Sequence, residues 1–401
     1  MSSKESNTLI RLIMKKSILC SLLLLSILSL GFESCVRKEQ KQETPKAKNV
    51  IYMIGDGMSL PQVFATMLAT GEDLAFCQFP YTGIVDTRSA SNDITDSAAG
   101  GTALACDKKT KNGMVGMDAD TLAMESILDA LADHGKSTGI VVTCYAGHAT
   151  PADFYAKVPQ RKQYEDIAMQ MAESDKLNVM IAGGRKHFDQ RKDSLNLLER
   201  MENELGWKVY DTLANIDTNC MKYAVLANRG HMPKAPERGD FLPEGVKTAL
   251  KTLSQDEDGF FLMVEGSQID FACHAHDSAN MIEETVDFSK AVQVALDFAK
   301  ADGNTLVVVT ADHETGGLTM IDPQGHYSNV AFNYSTYSHT CLPVMIYAYG
   351  PNAELFTGWM QNCDVKARIL KACGIEPQTV SSEMDQEIAP IVGSFDSNRE
   401  N

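Results

Sequence analysis

The sequence predicts an α/β protein: a single large domain with a mostly parallel central sheet flanked by helices on both faces. Three observations lead there. Short, β-branched apolar runs recur without period-two alternation, the mark of strands buried on both faces. Stretches with helical apolar spacing lie between them. Several runs stop abruptly at Gly, Asp, Glu or His, so polar chemistry collects at strand ends.

Composition agrees with a globular chain. Of 401 residues, 44% are hydrophobic and 22% charged, which excludes disordered, collagen-like and coiled-coil classes. A chain of this length buries roughly 75% of its surface. The balance is acidic, 36 basic against 53 acidic side chains for a net charge of −17. Such a surface repels nucleic-acid phosphates, so no nucleic-acid partner is expected. A local cation cluster can still hold a small phosphate compound.

Residues 1–35 read as an export signal. Arg11, Lys15 and Lys16 precede an uncharged apolar run, Ile18–Phe32, shorter than the ~20 residues of a membrane span. Met14 opens Met-Lys-Lys and is an alternative start. Cys35 follows the run and is a candidate lipidation site, although Phe-Glu-Ser before it departs from the usual small residues. Residues 36–48 are a polar tether. The expected location is therefore the periplasm or cell envelope. Ten cysteines are present without a Cys-x-x-Cys pair, so a thiolate zinc site is not indicated; an oxidising compartment permits disulfides. Cys144 and Cys341 sit near apolar runs and read as core.

The candidate domain spans 49–376. Its strand runs are Asn49–Ile54, Gly139–Cys144, Val179–Ile181, Phe260–Val264, Thr305–Val309 and Val344–Tyr349. Helical spacing covers Leu122–His134, closed by Gly135, and Glu283–Ala301, closed by Asp302-Gly303. Residues 211–245, rich in Pro, Gly and charge, read as an irregular insertion leaving the sheet. Residues 377–401 are a polar tail.

Asp56, His148, Glu265, Asp270, Asp312 and His313 all fall within a few residues of a strand's C-terminal end, the edge where open α/β sheets bind ligands. Oxygen and imidazole donors of this kind hold zinc or magnesium. Asp56 between two glycines is also a good turn residue. Asp312-His313-Glu314 after a buried run needs partners or a metal to offset desolvation. Asp270 and His274 are i,i+4 neighbours, which suits one ion or a surface contact. His276, Asp277 and the lone His339 carry no signal by themselves. Ser97 in Thr-Asp-Ser-Ala-Ala-Gly-Gly is the nucleophile candidate at a helix N-terminus, where Thr95, Asp96 or Ser97 serves as N-cap. It lacks a Gly-x-Ser-x-Gly elbow, so a metal must activate it.

Together these stretches resemble the alkaline phosphatase family. Asn-Val-Ile-Tyr-Met-Ile-Gly-Asp-Gly-Met, Thr-Asp-Ser-Ala-Ala, His-Ala-Thr-Pro, Val-Glu-Gly-Ser-Gln-Ile-Asp, Thr-Ala-Asp-His-Glu-Thr-Gly-Gly and Ser-His-Thr occur in that family's order, from Asn49 to about Pro351. The resemblance implies two zinc sites, one from Asp270, His274 and His339, the other from Asp56, Asp312 and His313 with Ser97. It implies a magnesium site from Asp56, Thr150 and Glu265, with His148 beside it where some members carry Asp; the softer imidazole lets zinc compete. Arg161, thirteen residues after His148, matches the phosphate-clamping arginine; Lys162 is the alternative. Phe271 stands where relatives often carry Lys or His. The implied activity is hydrolysis of phosphate monoesters through a phosphoserine at Ser97, by a homodimer. Rival readings are a phosphodiesterase or sulfatase on the same scaffold, or a non-catalytic metal- or phosphate-binding lipoprotein.

Overall fold

The computed structural model describes residue 14 and residues 45–325 and 330–376. The signal segment, Cys35, most of the tether and the polar tail lie outside the described residues. Among the described residues no helix is long and apolar enough to cross a membrane.

Residues 45–376 build a ten-stranded sheet. Its strands are β1 (Asn49–Gly55), β2 (Tyr81–Asp86), β3 (Ser137–Tyr145), β4 (Val179–Gly183), β5 (Lys208–Tyr210), β6 (Tyr223–Leu226), β7 (Phe260–Gly266), β8 (Thr305–Thr310), β13 (Val344–Tyr349) and β14 (Gly358–Gln361). The short strands β9 (Glu314–Thr315), β10 (Leu318–Ile321), β11 (Ala331–Tyr334) and β12 (His339–Thr340) lie between β8 and β13 and pair among themselves. The order is β14-β2-β13-β8-β1-β7-β3-β4-β6-β5. All neighbours are parallel except β13, which runs antiparallel to both β8 and β2. The predicted architecture holds.

Every residue of β1, β3, β7 and β8 is buried, so cover is needed on both faces. Two helix groups supply it. Phe241–Leu253 and Ser278–Asp302 pack together; Ser97–Cys106, Ile127–Asp133 and Asp364–Ala372 form the other set. Register places the polar ends level. Ile54 of β1 pairs with Glu265 of β7 and with Thr310 of β8, and Val142 of β3 also pairs with Glu265.

Several expectations change. The helix expected from Leu122 begins at Ile127, because Ser126 caps it through a box with Asp129 while Ala123 bridges to Met117. Residues 211–245 do not simply leave the sheet: Tyr223–Leu226 forms the buried strand β6, too short for a periodicity signal. Strands β2, β5 and β14 also escaped the apolar-run criterion, because each is partly exposed. Cys341 is exposed rather than core, and the eight described cysteines are all free thiols.

The end of the 211–245 segment is pinned by charge. Arg238 donates to Glu284 and Asp287 of the long helix at 2.5 and 2.7 Å, with all three side chains almost fully buried. Truncating one member of a buried ion cluster leaves uncompensated charge. Arg238→Ala is therefore expected to cost about 3–5 kcal/mol, read as a lowered urea midpoint. A midpoint unchanged from the parent protein would contradict this.

Candidate metal centre

The strand ends at β8, β1, β7 and β3 are adjacent, so the loops that follow them face one another. Three groups of potential ligands meet there: Asp270, His274 and His339; Asp56, Asp312 and His313; and Cys144, His148 and Glu265. Within each group the candidate ligand atoms lie within 4.8 Å of one another.

In the first group, Asp270 and His274 sit one turn apart on the helix Gln268–His274 that follows β7. His274 Nε2 lies 3.3 Å from Asp270 Oδ1, and His339 Nε2 lies 3.6 Å from the same oxygen. The two imidazole nitrogens approach to 3.1 Å. His339 arrives from the far side of the chain because β13 is antiparallel, so the segment leading into it lies at the same sheet edge. The pairing of β12 with β9 sets His339 opposite Thr315.

In the second group, His313 Nε2 lies 3.2 Å from Asp312 Oδ2 and 3.6 Å from Asp56 Oδ1. Ser97 Oγ is 3.2 Å from the same nitrogen. The rings of His313 and His339 stack at 3.6 Å, which joins the two groups.

The histidine tautomers follow from their outer partners. His274 Nδ1 meets the Tyr337 carbonyl at 2.6 Å and His339 Nδ1 the Thr95 carbonyl at 2.9 Å. A carbonyl only accepts, so each Nδ1 carries the proton and each Nε2 presents a lone pair inward. Thr315 donates to Asp270 Oδ1 at 2.5 Å, so its oxygen is left to accept from His313 Nδ1 at 3.3 Å. All three imidazoles thus turn Nε2 towards the carboxylates, the orientation in which a neutral ring ligates a cation.

The orphaned atoms make the same point. Both carboxylate oxygens of Asp56, Asp312 Oδ2, Glu265 Oε1, His148 Nδ1 and Thr150 Oγ1 are buried without a hydrogen-bond partner. Asp312 Oδ1 is satisfied by the Gly57 and His313 amides, which leaves Oδ2 for the site. Gly57 has φ +74°, and a Cβ there would lie 2.8 Å from the Asp270 backbone, so glycine is what lets the Asp56 turn approach the ligand helix. Buried polar groups are ordinarily paired, so this set fits divalent cations.

Ser97 opens the helix Ser97–Cys106. The cap is Asp96, which accepts from the Ala99 amide at 3.0 Å, so Ser97 is spared that role. Asp96 also takes Arg161 Nη1 at 2.9 Å, placing the guanidinium beside the first turn of the Ser97 helix. Burial would raise the Asp96 carboxyl, but Arg161's charge and the backbone donors hold it below the usual range. Lys162 is exposed.

Sequence reasoning missed Cys144, whose Sγ donates to Glu265 Oε2 at 3.3 Å. It ends an apolar strand, the same signal that marked its neighbours, but its residue type reads as core. Asp153 was missed too: it is fully buried, takes the Thr102 hydroxyl at 2.8 Å and leaves Oδ2 unpartnered. Of the uncertain pair, His276 stacks between Tyr334 and Tyr337, and Asp277 caps the long helix. Neither joins a ligand group.

The family model for alkaline phosphatase matches residues 47–333. Alkaline phosphatase 4 of Bacillus subtilis is 36% identical over 330 residues, 76% of this chain and 71% of that protein. The chain belongs to the alkaline phosphatase family. Membership makes it a phosphomonoesterase by class. The alkaline phosphatase of the Antarctic bacterium TAB5 superposes with a TM-score of 0.80 at 37% identity, covering 84% of this chain and 100% of that one. A histidine-to-aspartate variant of the TAB5 enzyme, 36% identical with the same TM-score and the same coverage of both chains, has been solved with Mg bound in its M3 site.

The charge pattern sets a pH response for the chelated protein. Burial, with the charges of Asp312, Asp270 and Glu265 adding, raises Asp56 far above an ordinary carboxyl. Burial likewise pushes Glu265 up to about 8, with Asp312 adding. Both folded values exceed the unfolded ones, so the folded state keeps protons the unfolded chain has released. That stability is present at low pH and is lost as pH rises towards 8. The buried, depressed imidazoles of His313 and His148 act oppositely, but only below about pH 6.5. Between about pH 6.5 and 8 the chelated protein is expected to melt at progressively lower temperature, with added zinc restoring most at the upper end. A flat profile over that window would show that these carboxyls are not strained by one another.

Proposed function

We propose that this protein hydrolyses phosphate monoesters through a phosphoserine at Ser97. The observation that carries the reading is the hydroxyl of Ser97 placed 3.2 Å from His313 Nε2 within a ring of orphaned carboxylate oxygens. Asp270, His274 and His339 would hold one zinc ion, and Asp56, Asp312 and His313, with Ser97, a second. A third divalent ion, magnesium by family resemblance, would lie at Glu265 with Asp56 and Thr150. Bound there, such ions neutralise the charge that grows on the attacking and departing oxygens.

The chain's own groups do the rest. Ser97 Oγ forms a bond to phosphorus as the ester P–O bond breaks, and the alcohol departs with a proton. Water then cleaves the phosphoserine to give inorganic phosphate and free Ser97. The amides at the start of the Ser97 helix face the phosphoryl oxygens with the positive end of its dipole. Arg161 grips those oxygens in a planar fork, and Asp96 sets its direction. Phe271, packed edge-on against His148 and His231, presents no charge to the phosphate.

The export signal and Cys35 support an envelope location with lipid attachment. Leu60, Phe64 and Leu68, exposed at i, i+4 and i+8 on one helix, support self-association as a homodimer.

With zinc and magnesium supplied, Ser97→Ala is expected to abolish phosphoserine formation and to lower turnover of an aryl phosphate by orders of magnitude. Unchanged turnover in that variant would sink the reading. Arg161→Ala removes charge-assisted hydrogen bonds worth about 1.5–3 kcal/mol, so kcat/KM should fall roughly 10- to 100-fold. The loss should be weaker for phosphodiesters, which present less charge. An equal loss for both substrates would remove Arg161 from the phosphate contact.

A further inference from the structure

A stack of rings stands at the rim of the group formed by Asp270, His274 and His339. The imidazole of His276 lies 3.7 Å from the Tyr337 ring at 5° and 4.7 Å from the Tyr334 ring at 10°. Two rings so close and so nearly parallel to it must cover its opposite faces. His276 Nε2 donates to the Thr336 carbonyl at 2.8 Å, which fixes the imidazole in its plane. Tyr334 is held in turn: its hydroxyl takes the Ser278 hydroxyl at 3.3 Å, and its ring closes on Gly316, where a Cβ would lie 2.7 Å away. His276 has φ +53°, a conformation that a residue with a Cβ keeps only where its surroundings impose it.

The outer ring of the stack is open. Tyr337 is 72% exposed, and since His276 covers one face of its ring, the other is bare. A lone exposed tyrosine needs no explanation, but this one is built into the site. Its own carbonyl meets His274 Nδ1 at 2.6 Å, and His339 follows two residues on. Ser97 Oγ lies instead against His313, in the neighbouring ligand group. In an in-line displacement the departing oxygen leaves opposite the attacking one. The Tyr337 ring therefore stands on the departing side, set back behind the His274 imidazole.

A bare aromatic face held in place takes any planar ring, because stacking depends little on the polar edge of its partner. Bracing by His276 and Tyr334 orders the platform beforehand, so less side-chain freedom is lost when a ligand stacks. We propose that Tyr337 selects phosphate monoesters whose leaving alcohol carries a planar ring some bonds beyond the leaving oxygen, as a nucleoside does, over esters of aliphatic alcohols. The inference rests on the phosphomonoesterase reading for the direction in which the alcohol departs. The contact is made by a part of the substrate that does not react, so it acts equally on ground and transition states and is read in KM.

The test compares adenosine monophosphate with glycerol phosphate on the full protein, with zinc and magnesium supplied. Both esters release a primary alcohol, so they differ in the ring and not in the bond that breaks. Tyr337→Ala keeps the carbonyl that orients His274. It should lower the ratio of kcat/KM for the nucleotide over the glycerol ester roughly tenfold, through KM, and Tyr337→Trp should restore the ratio. Each ratio is taken within one preparation, so partial loss of metal or of fold cancels. Calorimetric titration of both esters into Ser97→Ala protein should show the same preference, and Ser97→Ala with Tyr337→Ala should lose it. A ratio unchanged by Tyr337→Ala, or lowered as much by Tyr337→Trp, would overturn the platform and leave the phosphatase reading intact. A parent protein that hydrolyses neither ester, while its Ser97→Ala form prefers the nucleotide only with Tyr337 present, would overturn the phosphatase reading alone.

Discussion

The structure is organised around an electrostatic conflict. Three adjacent strands, β8, β1 and β7, bring Asp56, Glu265, Asp312 and, on the helix after β7, Asp270 to one dry edge, where carboxylate oxygens and imidazole nitrogens face one another. Burying one unpaired ion already costs several kcal/mol, so such a cluster either keeps protons, as burial makes Asp56 and Glu265 do, or is offset by cations. The fold is the device that enforces this proximity: strands that pair along their length and are buried on both faces cannot move apart to relieve it.

A shell of ordinary hydrogen bonds keeps the strained groups aimed inward. The Tyr337 and Thr95 carbonyls orient two histidines, and the Thr315 hydroxyl serves His313 and Asp270 together. Glu314, between His313 and Thr315, is itself no ligand. It accepts from Gln62 at 2.8 Å, from the Gly317 and Leu318 amides and from the Thr340 hydroxyl. One buried carboxylate therefore ties the helix Leu60–Thr70, the loop after β9 and the strand carrying His339. The same functional group two positions from Asp312 has the opposite task because its donors are complete.

The ligand edge of the sheet was legible in the sequence because apolar runs and their abrupt ends are local signals. Asp312 and His313 follow β8 and Glu265 lies at the end of β7, strands that Ile54 of β1 holds in register at Thr310 and Glu265. The bland reading of His339 was natural, since nothing near it in sequence is informative; its place depends on an antiparallel β13 that no local pattern encodes. Cys144 failed for another reason. Its residue type fits a core as well as a site, and only Glu265 at 3.3 Å decides between them. Strand β6 was hidden because four residues are too few to show a period.

By itself the sequence determined the α/β class, the polar edge and the family, since each rests on spacing within short segments or on their order. Tertiary structure alone decided which candidate donors come together in one group, which nitrogen of each imidazole faces inward, and that a thiol stands in the third group. Those facts depend largely on contacts between residues more than sixty positions apart, and such contacts exist only once the sheet has closed.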